Sequence, residues 1–207
     1  QKLFRVSRLE QSEIDHEIEA KVIKELEISA KDSSGIVISD FVYGVITQKI
    51  INKIHELAKK YNLLLLGDLQ CSSQVGSITK FKNFSFLSPN EKEARIALHE
   101  KELDLESLSN KIHSKTNSKM LIMKLGSNGF IAYDFSDENV INQPFPALSI
   151  NPIDVTGAGD SLLAIMAVGL SSKQRMMPTA AIACCMTALA VEQMGNKPIR
   201  KEKLLKL

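Results

Sequence analysis

Short apolar runs alternate along the chain with longer amphipathic segments, and this alternation limits the fold more than any other feature of the sequence. Residues 36–38, 63–66 and 84–87 have the length and composition of buried strands. Residues 17–30 and 47–60 carry apolar side chains at helical spacing. Apolar strands separated by amphipathic helices indicate a mostly parallel sheet with helices on both faces.

The second half of the chain continues this order. We predict helices over residues 91–98 and 105–115, strands over 120–125 and 130–134, and long apolar helices over 158–170 and 178–194, the last ending before Gly195. A turn at 126–129 joins the two strands, so they are antiparallel and lie near one edge of the sheet. Residues 3–7 and 14–18 are predicted as extended edge segments. The predicted fold class is α/β, in a single domain.

Composition narrows the range of partners. The 207 residues include 26 basic and 24 acidic ones, and a formal net charge of +2 gives no reason to expect nucleic acid or an anionic membrane. No apolar run reaches the roughly 18 residues of a membrane span, and the polar residues 1–10 do not resemble a signal peptide. Cys71, Cys184 and Cys185 lack metal-ligand spacing and are expected as buried thiols. These features predict a cytoplasmic protein.

A polar residue or a glycine closely follows each of four predicted strands. These residues are Asp40, Asp68, Asn90 and Gly126. In open α/β sheets, ligands bind beyond the carboxyl ends of the strands. Each of the four is therefore a candidate site residue.

The segment 154–160, Asp-Val-Thr-Gly-Ala-Gly-Asp, precedes the first long apolar helix. Small residues at a helix start let an anion approach the backbone, where N–H groups and the helix dipole favour negative charge. Phosphoryl transfer needs that stabilisation and a group that accepts the proton of the attacking hydroxyl, a role open to Asp160. Taken alone, the segment is equally consistent with a tight turn in which Asp160 only complements the dipole. It lacks the Gly-Lys-Ser/Thr ending of a P-loop.

These seven residues resemble the Asp-Thr-x-Gly-Ala-Gly-Asp signature of the PfkB (ribokinase-like) carbohydrate kinases, with Val155 where threonine is common. The resemblance implies a ribokinase-like fold, ATP and Mg2+ as cofactors, and Asp160 as the catalytic base. The anion hole implied by the resemblance consists of Gly157, Ala158 and Gly159. The residues assigned to the substrate in the same way are Asp40 and Asp154.

Asn90 and Glu93 resemble the family's Asn-x-x-Glu motif, which implies that both contact the cofactor and that Glu93 holds magnesium. A carboxylate can hold hydrated Mg2+ through its water shell, because this ion loses water reluctantly. The residues alone favour a capping box, in which Asn90 caps a helix and Glu93 is its third residue.

Residues 124–129, Lys-Leu-Gly-Ser-Asn-Gly, resemble the family's Thr-Leu-Gly-x-x-Gly nucleotide loop. This resemblance implies nucleotide contacts from Gly126, Ser127 and Gly129, whereas the residues alone indicate a hairpin loop. Lys124 stands in place of the common threonine and could pair with a phosphate.

Residues 180–199 resemble the family's closing helix, which forms a wall on the adenine side. Asn196 is predicted to contact the nucleotide. Core packing, in preference to a cofactor pocket, is predicted for Ala181, Cys184, Ala188 and Val191.

Residues 5–15 and 39–44 resemble two segments of the heptose-phosphate kinases, including the kinase half of the bifunctional ADP-heptose synthase. The resemblance implies D-glycero-D-manno-heptose 7-phosphate as the best specific acceptor. Ser12 and Tyr43 stand in these segments where those kinases have a glutamine and a lysine, and residues 68–70, Asp-Leu-Gln, depart from their usual Asp-Pro-Lys, so the acceptor stays open. Loop and edge-strand structure explains both segments equally well.

The resemblance spans nearly all 207 residues but begins partway into the family pattern, whose opening sugar-binding segment with Gly-Gly and asparagine is not among them. We expect the C-terminal part of one kinase domain, with residues 1–18 contributing to a lid or edge strands and to a homodimer. The predicted function is ATP-dependent phosphorylation of a sugar or sugar-phosphate hydroxyl. The alternatives are a related kinase for another sugar or a nucleoside, and a regulatory nucleotide-binding protein without catalysis.

Overall fold

A computed structural model describes residues 12–70, 77–149, 151–195 and 197–205. Six strands form one sheet in chain order: β1 (Gly35–Asp40), β2 (Leu64–Leu69), β3 (Phe86–Leu87), β4 (Met120–Lys124), β5 (Phe130–Asp134) and β6 (Ile141–Phe145). β1 to β4 are parallel, and β5 and β6 continue the sheet in antiparallel pairing. The predicted fold class, a mostly parallel sheet with antiparallel edge strands, is confirmed.

The described residues also form seven α-helices: α1 (His16–Ser29), α2 (Gln48–Tyr61), α3 (Glu91–Leu98), α4 (Leu105–Thr116), α5 (Ala158–Ser171), α6 (Met176–Val191) and α7 (Lys201–Leu204). N-cap side chains such as Thr47 start helices, and residues in the left-handed conformation such as Asn62 and His99 end them. Because these signals are local, the predictions for α1 to α4 are correct to within one residue at each end. None of the helices in the described ranges combines the length and apolar character needed to cross a bilayer.

Each face of the sheet carries its own hydrophobic core. One core packs α1 to α4 against strand residues such as Leu65 and Leu121. The other packs α5 and α6 against strand residues such as Leu66 and Ile122. Neighbouring residues enter opposite cores because successive side chains of a strand alternate between the faces of a sheet. The same alternation decides which face receives each polar residue at a strand end.

The prediction of an extended segment at 14–18 is wrong. The Asp15 side chain accepts hydrogen bonds from the amides of Glu17 and Ile18, so α1 already begins at His16. Residues 3–7, the other predicted edge segment, lie outside the described residues. The described part of the expected lid is therefore the start of a helix.

The end of the chain differs from the prediction in two places. The sequence does not predict β6, because only Phe145 in it is buried and its residues show no alternation of apolar and polar side chains. β6 also contains Pro144, which is tolerated at the outer edge of a sheet. α6 begins at Met176, before the proline at 178, and ends at Val191. Gly195, predicted to stop this helix, adopts a positive φ of 77° beyond its end.

Candidate active site

Polar side chains from β2 and β4 meet at the carboxyl edge of the sheet, on the face that α5 covers. Asp68 and Lys124 have the same strand parity as Leu66 and Ile122, which belong to the core under α5 and α6. Asp68 is fully buried, and Lys124 Nζ donates a hydrogen bond to Asp68 Oδ1 at 2.8 Å. The Ser88 hydroxyl donates to the same oxygen at 3.0 Å. Within the described part of the chain, Asp68 Oδ2 has no hydrogen-bond partner.

The first turn of α5 lies directly beside this ion pair. Gly157 caps the helix in the left-handed region with a φ of 81°, which a glycine adopts without strain. A Cβ atom on Gly159 would lie 3.6 Å from Lys124 Nζ and 4.0 Å from Asp68 Oδ2. Because Gly159 has no side chain, no Cβ separates the helix start from the ion pair.

Asp160 is half-buried in the same first turn. Gln70 Nε2 donates to Asp160 Oδ1 at 2.9 Å. The Gln70 amide donates to Asp40 O at 2.8 Å, which fixes the backbone just beyond β2. The predicted base is thus held at the edge of the sheet that also carries Asp68 and Lys124.

The start of α3 adjoins Lys124 through the backbone. Asn90 and Lys124 form an isolated parallel bridge, and the Lys124 amide donates to Pro89 O at 2.9 Å. Asn90 Oδ1 accepts from the Glu93 amide, and Glu93 Oε2 accepts from the Asn90 amide, both at 2.8 Å. The capping box indicated by the residues alone is therefore present, and it lies next to the β4 residue that binds Asp68.

A cavity of about 520 Å3 opens next to the first turn of α5. The predicted site residues that line it are Lys124, Gly126, Ser127, Gly129, Ala158 and Gly159. Four residues of α6 also line the cavity: Cys184, Thr187, Ala188 and Val191. The volume of the cavity is in the range of small-molecule and cofactor sites, about 300–1,000 Å3. The nucleotide loop and the phosphate turn predicted from the sequence therefore share one cavity.

Among the four residues of α6 for which core packing is predicted, the prediction is confirmed only for Cys184. Ala188 and Val191 are partly buried and line the cavity. Cys184 is buried, its Sγ donates to Pro146 O at 3.1 Å, and burial raises the pKa of its thiol. Ala181 is exposed and does not line the cavity. The small side chains of α6 leave space that larger ones would fill.

Asp40 does not join this group of residues. It has the strand parity of Ile38 and therefore points to the face covered by α1 to α4. There its Oδ2 accepts from Lys80 Nζ and its Oδ1 from the Val42 amide at 2.9 Å. Its role toward a substrate stays a prediction.

Asp154 ties the signature turn to the end of α6. Its Oδ1 accepts from the Thr156 amide at 2.9 Å, and its Oδ2 accepts from the Gly195 amide at 3.0 Å. These bonds hold the backbone that leads into Gly157. A substrate role for Asp154 stays a prediction, and Asn196 lies outside the described residues.

Two contacts of the site are not indicated by the sequence. From the sequence, Ser88 is only part of a turn before Pro89, and Gln70 is only a departure from a family pattern. Both contacts join residues far apart in the chain, Ser88 with Asp68 and Gln70 with Asp160. Sequence patterns report local structure, so neither pairing has a local signal.

The fold is ribokinase-like, an α/β class that comparison with solved structures identifies. Ribokinase from Giardia lamblia superposes with a TM-score of 0.73 and 17% identity, covering 90% of this chain and 63% of that one. Ribokinase from Arabidopsis thaliana in complex with ribose and ATP has a TM-score of 0.71 and 24% identity, covering 89% and 59%. Phosphofructokinase-2 from Escherichia coli in complex with potassium has a TM-score of 0.70 and 17% identity, covering 89% and 60%.

The chain belongs to the pfkB family of carbohydrate kinases, whose model matches residues 10–202. The bifunctional protein HldE of Campylobacter jejuni subsp. jejuni serotype O:2 is 28% identical over 204 residues, which cover 97% of this chain. HldE of Aliarcobacter butzleri is 28% identical over 199 residues, covering 95%. The chain spans 42% and 40% of the length of these two relatives. The family resemblance predicted from the sequence is confirmed.

Proposed function

We propose that the chain carries the phosphoryl-transfer site of a carbohydrate kinase, which moves the γ-phosphoryl group of ATP to a hydroxyl of a sugar or sugar phosphate. The observation that carries this proposal is the meeting of Asp160, the first turn of α5 and the Asp68–Lys124 pair beside a cavity of nucleotide size. Membership of the pfkB family supports it.

Asp160 is the group that we assign to accept the proton. The acceptor hydroxyl oxygen forms a bond to the γ-phosphorus, the bond from phosphorus to the bridging oxygen of ADP breaks, and the hydroxyl proton moves to Asp160. The hydrogen bond from Gln70 at 2.9 Å orients the carboxylate. Half-burial keeps the carboxylate within reach of a substrate.

The start of α5 supplies positive potential for the transferred group. Ser161 makes the first bond of the helix, to Gly157 O at 2.9 Å, and the amides before it belong to the turn that faces the ion pair. The Ala158 amide donates to Val155 O at 3.3 Å, a long hydrogen bond that a phosphate oxygen can replace. Preformed donors of this kind stabilise charge that develops during transfer.

Asp68 and Glu93 are the residues that would hold Mg2+. Asp68 is fully buried, and its Oδ2, unpartnered within the described residues, is 4.0 Å from the Cβ position of Gly159, so it suits a cation at the phosphate end of the cavity. Mg2+ keeps several waters and is bound through one or two carboxylates, so two carboxylates are enough to hold it. When bound, the ion neutralises charge on the phosphates.

The acceptor is proposed from the relatives. HldE proteins and the heptose-phosphate kinase segments near Asp40 favour D-glycero-D-manno-heptose 7-phosphate as its identity. Tyr43 and Gln70 stand where those kinases carry lysine, so a different sugar or a nucleoside is the competing acceptor. A homodimer and a cytoplasmic location remain predictions drawn from the family resemblance and the composition.

The test of this function is Asp160→Asn in the complete protein. We expect turnover with heptose 7-phosphate to fall by about three orders of magnitude, because the hydroxyl loses its proton acceptor. The dissociation constant for ATP should change by less than about threefold, since the amide keeps the shape and the bond to Gln70.

The matched control is Glu106→Gln, which removes an exposed carboxylate from the first turn of α4 and should leave turnover unchanged. Near-normal turnover in Asp160→Asn contradicts the assignment of the base. ATP binding without consumption across sugar acceptors supports the regulatory nucleotide-binding protein instead.

A further inference from the structure

We propose that Phe41 and Tyr43, which lie on either side of Val42 in an aromatic turn at residues 41–43, form the platform on which the sugar ring of the acceptor stacks. This inference deepens the proposed function and rests on it, because it takes a sugar or sugar phosphate as the second substrate. Neither ring is given a ligand by the family resemblance.

The two rings form an apolar surface that reaches solvent. Their centroids are 6.2 Å apart and their planes differ by 21°, so they stack on each other. Phe41 is 46% exposed, and Tyr43 is partly buried. Aromatic faces carry partial negative charge, whereas the C–H groups on the face of a sugar ring carry partial positive charge, so the two surfaces attract each other. An exposed aromatic pair therefore suits a sugar ring.

The aromatic turn lies at the same edge of the sheet as the proposed base. Phe41 directly follows Asp40, the last residue of β1, and Asp40 O accepts from the Gln70 amide at 2.8 Å. The Gln70 side chain donates to Asp160 Oδ1 at 2.9 Å. Because neighbouring strands are about 4.8 Å apart, the platform begins one strand away from the residue that holds the base. A sugar on the platform can thus present a hydroxyl to Asp160.

Val42 adopts a backbone conformation that β-branched residues avoid. Its φ is 63°, in the left-handed region. Its amide donates to Asp40 Oδ1 at 2.9 Å, and its side chain packs against the core formed with α1 to α4. Backbone strain of this kind collects at active sites and ligand clamps. The turn is therefore better explained by a ligand than by the fold.

Both ends of the aromatic turn are fixed. On one side, Asp40 is buried and its Oδ2 accepts from Lys80 Nζ. On the other side, Gly44 O accepts from the Ile14 amide at 3.1 Å, and a Cβ atom on Gly44 would clash with Ser12 O. A platform held in this way loses little conformational freedom when a ligand binds, which favours affinity. Asp40 then acts on the substrate indirectly, because its carboxylate holds the turn.

The experiment measures steady-state kinetics of the complete protein with ATP and D-glycero-D-manno-heptose 7-phosphate. Phe41→Leu keeps an apolar side chain but removes the aromatic face. We expect KM for the sugar to rise by about fivefold or more, while kcat and KM for ATP change by less than about twofold. Phe41→Tyr keeps the face and should hold KM within about twofold of the unaltered protein.

The matched control is Val45→Ala, which shortens an equally exposed apolar side chain in the same loop and should leave both KM values unchanged. Tyr43→Leu should raise KM for the sugar by about twofold or more, since its ring supports that of Phe41. An unchanged KM in this variant removes Tyr43 from the platform.

The outcomes separate this inference from the proposed function. If the unaltered protein phosphorylates no sugar, the proposed function fails. If it phosphorylates a sugar and Phe41→Leu keeps KM for that sugar, only the platform fails. A rise in KM for ATP alone assigns the rings to the nucleotide, and altered sedimentation without a change in KM assigns them to contact with a second copy of the chain. Either result overturns the inference.

A tryptophan at the platform gives a second measurement if Phe41→Leu does not fold. The chain contains no tryptophan, so Phe41→Trp adds a single emitter to it. The emission that distinguishes this variant from the unaltered protein should change when heptose 7-phosphate is added and stay constant when adenosine is added. Emission that responds to adenosine alone, or to neither compound, contradicts stacking of the sugar at Phe41.

Discussion

Asp40 and Asp68 stand at the ends of neighbouring parallel strands, and each is buried and paired with a lysine, yet their surroundings differ. On the face of α1 to α4, Asp40 accepts from Lys80 with one oxygen and from the Val42 amide with the other. On the face of α5, Asp68 accepts from Lys124 and Ser88 with a single oxygen, while the other has no partner in the described structure. A buried polar atom without a partner needs an explanation, and Asp68 Oδ2 lies beside the first turn of α5, so Asp68 is the better candidate of the two for contact with the phosphates.

The largest expected effect is on catalysis, and it distinguishes Asp68 from Asp40. Asp68→Asn should lower kcat for sugar phosphorylation in the complete protein by about a hundredfold or more, because the site loses a carboxylate that faces the phosphates. Steady-state kinetics measure this, and thermal unfolding checks that the variant is folded. A kcat within about threefold of the unaltered protein removes the functional distinction between Asp68 and Asp40.

The next largest effect is on the stability of the fold, and it concerns the pair formed by Asp40 and Lys80. Lys80→Met should lower the free energy of unfolding by about 2 kcal/mol, because the buried Asp40 charge loses its partner while the backbone bond from Val42 remains. Urea unfolding followed by circular dichroism gives the value, and the affinity for ATP should stay within about twofold. An ATP affinity that falls along with stability contradicts a purely structural role for this pair.

The smallest expected effect concerns the face of the sheet covered by α5 and α6, and it tests which part of the nucleotide the α6 wall of the cavity contacts. Ala188→Leu adds bulk to the cavity wall formed by α6 and should weaken adenosine and ATP binding alike, by about tenfold, because both ligands carry the adenine that the family resemblance assigns to this wall. Ala181→Leu is the matched control, since it adds the same atoms to the same helix at an exposed position outside the cavity. If only the affinity for ATP falls, α6 contacts the phosphates, and the assignment of this wall to the adenine is wrong.

Local signals explain what the sequence predicts well. The bounds of α3 and β5 agree with the prediction to the residue, because the capping box at Asn90 and the turn ending at Gly129 lie within a few residues of the elements that they bound. The glycine-rich start of α5 is equally local, which is why the phosphate turn can be recognised from seven residues.

Contacts across the sheet explain what the sequence does not reveal. Asp68 and Lys124 are 56 positions apart, and only the register of β2, β3 and β4 brings them together. β6 is defined by its pairing with β5, with only Phe145 buried in it to mark it as a strand. Ala188 carries the same apolar side chain whether it faces a core or a cavity, so composition cannot distinguish the two.

The strand order has a consequence for how the chain acquires its structure. Each strand of the sheet lies beside the strand that precedes it in the sequence, from β1 through β6, without exception in the described residues. During synthesis, each strand from β2 to β6 therefore meets a partner that has already been made. Folding of this part of the sheet can advance in the direction of translation.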